Sequence, residues 1–82
     1  MMNFSEALIM LKQGFKIARN GWNGKDMYLT YYSPVAHGTV DFEVNGETHI
    51  LQPFILMKTA QGTIVPWLAS QTDILADDWL II

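Results

Sequence analysis

Asn-Gly occurs three times in this chain, at 20–21, 23–24 and 45–46, and at each step the backbone can take positive φ and reverse direction within two residues. The segments between these steps are short, which suits a small antiparallel sheet. Asn45-Gly46 is flanked by alternating residues on both sides, the strongest short-range hairpin signal available. A two-residue loop there pairs Val44 with Glu47, Phe42 with His49 and Val40 with Leu51, and leaves Asp41, Glu43 and Thr48 on the other face. Both faces are partly polar, so the hairpin is expected to project into water. The other two steps surround Trp22, between a strand over 15–19 and a second over 27–32, in a loop that folds back tightly and holds the indole at a fixed angle.

The rest of the chain carries equally local signals. Asn3 and Glu6 have capping-box spacing, Phe4, Leu8 and Leu11 recur at helical intervals, and Gly14 suits a left-handed C-terminal cap. These predict an amphipathic helix over about 4–13. Residues 33–39 form a connection, Pro53 marks a break, and a buried strand over 54–59 turns through Ala60-Gln61-Gly62 into 63–65, where Pro66 ends it. Ser70 with Asp73 predicts a short helix over about 71–76. The apolar finish from Trp79 to Ile82 must pair into the sheet or be covered by a partner. The expected fold is α+β: an N-terminal helix packed on a small antiparallel sheet, with a projecting β-hairpin and a short C-terminal helix. Without linker or repeat, residues 1–82 read as a single ligand-binding domain.

A chain of 82 residues buries only a thin core, yet half of its residues are hydrophobic and 12% are aromatic. Small domains are usually supported by disulfides, metals or association, and with no cysteine and only His37 and His49, association is the support left. A homo-oligomer is expected. Neither a signal peptide nor a transmembrane helix is legible, so no membrane partner is expected and the chain is placed in the cytoplasm. The formal net charge of −3 is a poor footprint for long nucleic acid. Lys12, Lys16, Arg19 and Lys25 nevertheless cluster in the first 25 residues, and such a patch either suits a small anion or is simply a solvated face.

The pattern speaks against catalysis. Both histidines fall in the connection and the hairpin, away from any nucleophile; Asp77 and Asp78 point different ways; no Cys/His cluster or glycine-rich phosphate loop is present, and no cofactor is implied. What stands out is a set of tryptophans in polar company: Arg19-Asn20-Gly21-Trp22-Asn23-Gly24-Lys25, Pro66-Trp67-Leu68-Ala69-Ser70-Gln71 and Asp77-Asp78-Trp79. A purine has a flat π-face and a polar edge, so a site for it needs an indole to stack on and amides, hydroxyls or carboxylates at the rim. Trp22 and Trp67 are placed that way, with phosphates looking to Arg19 or Lys25. Each has an ordinary alternative. Tryptophan in a small domain commonly packs in a core or interface, and Trp79, heading an apolar strand, is assigned to the core. Core packing alone accounts for Phe4, a solvated strand position for Arg19, and helix capping for Asp73.

These stretches resemble the Thoeris anti-defence 2 family of short phage and prophage proteins. The resemblance is carried by Met2-Asn3-Phe4-Ser5-Glu6-Ala7-Leu8, Leu11-Lys12-Gln13-Gly14, the Trp22 segment, Met57-Lys58-Thr59-Ala60-Gln61-Gly62-Thr63-Ile64-Val65-Pro66-Trp67, Ser70-Gln71-Thr72-Asp73 and Ala76-Asp77-Asp78-Trp79. Residues 33–52 show no motif of the family. The resemblance implies a homotetrameric sponge that binds a cyclic ADP-ribose isomer, the infection signal of a Thoeris system, without cleaving it; some relatives also hold cyclic oligonucleotides at separate sites. It further implies that Phe4, Trp22 and Trp67 line the pocket and stack on adenine, with polar contacts from Arg19, Asn23, Ser70, Gln71 and Asp78. Two other function classes stay open: a protein-binding inhibitor or structural phage component using the acidic hairpin, and a hydrolase of the same signal.

Overall fold

The computed structural model describes residues 1–22, 26–35, 38 and 41–82; the expectations placed on Asn23, Gly24, Lys25, His37 and Val40 fall outside them. The elements run α1 (Phe4–Lys12), β1 (Ile17–Arg19), a 3-10 turn (Asn20–Trp22), β2 (Tyr28–Tyr32), β3 (Asp41–Val44), β4 (Glu47–Ile50), β5 (Phe54–Lys58), β6 (Ile64–Pro66), α2 (Gln71–Ile74) and β7 (Trp79–Ile81). Five strands form one antiparallel sheet in the order β6-β5-β2-β1-β7, and β3 with β4 form a separate two-stranded sheet. The α+β class, the helix on an antiparallel sheet and the short second helix are as the sequence predicts.

Local chemistry sets the element ends. The Asn3 side chain accepts from Glu6 N at 2.9 Å while Glu6 Oε1 accepts from Asn3 N at 3.1 Å, a closed capping box. At the other end Gly14, at φ +100°, donates to Leu11 O, and Phe15 N donates to Met10 O. Those two bonds make a Schellman motif, which explains why the strand predicted from residue 15 begins at Ile17: the Phe15 N–H is committed to the helix end. Asn45 and Gly46 have φ 53° and 82°, and the hairpin register is Phe42↔His49 and Val44↔Glu47, as the two-residue loop requires. Every residue of β3 and β4 is exposed.

Other expectations are corrected. Gly21 takes no positive φ; Asn20–Trp22 is a 3-10 turn, anchored by Asn20 N on Asp78 O and Gly21 N on the Asp78 carboxylate. The strand after the 59–62 turn runs to Pro66, which is tolerated because β6 lies at the sheet edge. Helix α2 ends at Ile74, two residues short of the predicted stretch, where the chain turns so that the Trp79 indole N–H donates to Asp73 O at 2.9 Å.

The core lies where α1 covers β1, β2 and β7. Ala7, Leu11, Ile17, Leu29 and Trp79 are fully buried and in mutual contact. That is the thin core expected at this length, and it assigns Trp79 to packing as predicted. The apolar C-terminus does pair into the sheet: β7 lies against β1 with Arg19 opposite Trp79, and Ile82 N donates to Lys16 O. Met2 then bridges Trp79 from the outer side, at 2.7 and 3.0 Å. Among the described residues no helix is long and apolar enough to cross a membrane.

Candidate functional site

Three aromatic rings from separate parts of the chain converge on the buried Trp79. Phe4 of α1 lies 5.3 Å away, centroid to centroid, and Trp22 of the 3-10 turn meets Trp79 edge-on at 5.4 Å and 80°. Trp67, just after β6, does the same at 6.1 Å and 84°, and Phe4 and Trp67 are themselves 5.7 Å apart. Edge-to-face geometry sets the positive rim of one ring on the negative face of the next, so each contact is attractive beyond its buried area. Phe4, Trp22 and Trp67 remain only partly buried. Trp79 is therefore a fixed hub against which two accessible indoles are braced.

The two indoles border different recesses. One, of about 500 Å³, is walled by Phe4, Leu8, Tyr31, Phe54 and Trp67, with Lys12 beside them. The second, of about 280 Å³, is lined by Arg19, Asn20, Trp22, Asp26, Met27 and Leu80. The sequence-predicted site residues divide accordingly. Phe4 shares a recess with Trp67, and Arg19 shares the other with Trp22. Ser70 and Gln71 are exposed at the start of α2, where the Ser70 hydroxyl accepts from Asp73 N at 3.1 Å, and they line neither recess. Asn23 lies outside the described residues.

Arg19 is not a solvated strand residue, nor does Asp73 merely cap a helix. Arg19 Nε donates to Asp78 Oδ1 and Arg19 Nη1 to Asp73 Oδ1, both at 2.8 Å, and Nη2 reaches Asp78 Oδ2 at 3.5 Å. The three side chains are 18–27% exposed, so the pairs are partly shielded from water. Asp78 Oδ2 also accepts from Gly21 N at 3.2 Å, so the guanidinium ties together β1, the Trp22 turn, α2 and the start of β7. Residue separations of 54 and 59 hide this network from any local pattern. A second tether escaped the sequence for the same reason: Lys58 Nζ donates to Asp26 O and Asp26 Oδ2 at 2.8 and 2.9 Å, holding Asp26 at φ 52° beside the smaller recess. Lys16 Nζ sits 4.7 Å from the Tyr28 ring centre.

The charge network has a defined pH dependence. Hydrogen bonding to Arg19, helped by Gly21 N–H, holds the Asp78 carboxyl below its ordinary 3.8, and the same pairs raise Arg19 above the usual guanidinium value. The raised guanidinium contributes its stabilisation at every pH below its ordinary, strongly basic value, so it gives no slope near neutrality. A depressed carboxyl contributes fully above its unfolded value and loses that contribution as pH falls through the folded one. The folded state is thus expected to weaken on acidification below 3.8, and Asp78→Asn to flatten this slope, measured as urea midpoint against pH. Asp26, lowered by Lys58, retains its part of the slope in that variant.

A model of the Thoeris anti-defense 2-like domain matches residues 2–82, and the match runs through the 33–52 stretch where the sequence alone showed no family motif. The protein Thoeris anti-defense 2 of Bacillus phage SP01 is 45% identical over 85 residues, covering 99% of this chain and 94% of that protein. The motifs of the aromatic loops, the caps and the C-terminal strand thus sit inside one continuous likeness, and the chain belongs to the Thoeris anti-defense 2-like domain family.

Proposed function

We propose that this chain is a non-catalytic sponge that binds a cyclic nucleotide immune signal, a cyclic ADP-ribose isomer of the Thoeris type, and withholds it from its effector in the cytoplasm of the bacterial host. Family membership supports the anti-defence role. The observation that carries the ligand class is the pair of accessible indoles, Trp22 and Trp67, each braced edge-on against buried Trp79 at the mouth of a recess. Base–aromatic stacking is worth roughly 1–3 kcal/mol per base, and rings already fixed before binding lose little side-chain freedom when the ligand arrives.

Capture without turnover suits the way the polar groups are engaged. Asp73 and Asp78 hold Arg19, and the ring of His49 stands in the exposed hairpin 3.5 Å from Glu47. Assembly as a homotetramer belongs to the same proposal and is supported by apolar side chains left at the surface, with Leu68 92% and Leu75 75% exposed. The test is to mix the protein with cyclic ADP-ribose isomers, remove it by ultrafiltration, and heat it to release what it held. Depletion of the filtrate with recovery at unchanged mass is the expected result, and native mass spectrometry of the same sample is expected to show four subunits. Binding no tighter than micromolar sinks the proposal, and recovery of a hydrolysed product makes the protein an enzyme.

One observation favours a second class. The β3–β4 hairpin is exposed along its length and carries Asp41, Glu43 and Glu47 beside Phe42 and Val44, a surface suited to a basic protein partner. A stoichiometric host protein retained by the native chain, and lost when those three acids are neutralised, would establish an inhibitor of that kind.

A further inference from the structure

Arg19 and Lys25 are the cations the sequence offers to a phosphate, but the distribution of ion pairs points elsewhere. Lys25 lies outside the described residues. Arg19 faces two carboxylates, so the Arg19–Asp73–Asp78 group carries a net negative charge where the Trp22 recess begins. Lys58 is engaged by Asp26, and Lys16 by the Tyr28 ring. Lys12 has neither ion pair nor hydrogen bond through its side chain among the described residues. Among those residues it is also the one charged side chain lining the larger recess, whose other walls are mostly apolar and aromatic.

We propose that Lys12 is the phosphate-contacting residue of the Phe4–Trp67 recess, so that a base lies against Trp67 and an attached phosphate reaches the last turn of α1. This rests on the nucleotide-capture proposal and adds the position of the anion. An exposed ammonium on a flexible stem suits the task, because it can follow a phosphate at the mouth while Phe4 and Trp67 stay fixed. The helix end would otherwise repel an anion through its bare carbonyls. Here Gly14 N and Phe15 N occupy the carbonyls of Leu11 and Met10, which lowers that repulsion beside Lys12.

Adenosine and ADP share base and ribose and differ in the phosphates, so calorimetric titration of both against the native protein and Lys12→Gln isolates the contact. The native protein is expected to bind ADP about three- to tenfold more tightly than adenosine at low salt, a preference that fades as salt rises. In Lys12→Gln the preference is expected to vanish while adenosine affinity stays unchanged. If the variant keeps the native ADP-to-adenosine ratio, Lys12 is not the contact and the capture proposal stands without it. If the variant loses adenosine as well, Lys12 shapes the recess rather than reading phosphate, and the assignment falls. If the native protein binds neither compound, or shows no preference for ADP, the phosphate assignment falls too, and binding of neither also removes adenine stacking from the capture proposal.

Discussion

Replacing Trp79 by alanine is expected to cost about 3–5 kcal/mol of folding free energy, a large share of the roughly 5–15 kcal/mol that holds a typical domain together. The residue is fully buried and contacts Phe4, Trp22 and Trp67, so its truncation opens a void that α1 and the sheet cannot close without moving all three rings. It also removes one of the donors to Asp73 O, loosening the segment that presents Asp73 to Arg19. Urea denaturation followed by circular dichroism measures the loss. Trp79→Phe keeps an aromatic ring and forfeits the N–H, so it is expected to recover most of the stability. A loss under about 1 kcal/mol for the alanine variant would mean that the hub is not where the core is held.

The second large effect is on binding. Trp67→Ala is expected to weaken capture of a cyclic ADP-ribose isomer by roughly 1–3 kcal/mol, from several-fold to about a hundredfold, and Trp22→Ala by a similar amount with assembly intact. The comparison of the two is informative because these indoles border different recesses within one chain. A ligand enclosed between subunits can touch Trp67 of one copy and Trp22 of another, and then both variants lose affinity. A ligand confined to one recess spares one variant. Titration calorimetry on protein of verified fold decides it, and unfolding by either substitution would show that the ring serves packing.

Much of the fold is legible because it is written in contacts a few residues apart. Asn3 and Glu6, Gly14, Ser70 with Asp73 N, and Asn45-Gly46 each form the cap or turn their identities dictate, and the hairpin register follows from loop length alone. Asn20-Gly21 is the instructive exception. The same dipeptide makes a 3-10 turn because a carboxylate from 57 residues away takes the Gly21 N–H, and tertiary bonding overrides the local preference. The strand order, with β1 between β2 and β7, is equally non-local. Among the candidate site residues, Trp22 and Trp67 stand out by their polar neighbours, whereas Phe4 reads as core from its helical spacing and enters the site only through the family resemblance. Their division between two recesses, and the commitment of Arg19 to Asp73 and Asp78, depend on where distant segments meet.

Both rims of the five-stranded sheet are blunted. Met2 covers the outer side of Trp79 on β7, and on β6 the bond from Trp67 N to Ile55 O means, by antiparallel alternation, that the N–H missing at Pro66 is one that would have faced outward. Under the proposed function, capture molecule for molecule requires the protein to accumulate to the abundance of its target. Rims interrupted in this way are poorer templates for another strand, which favours crowding of that kind without growth into fibres.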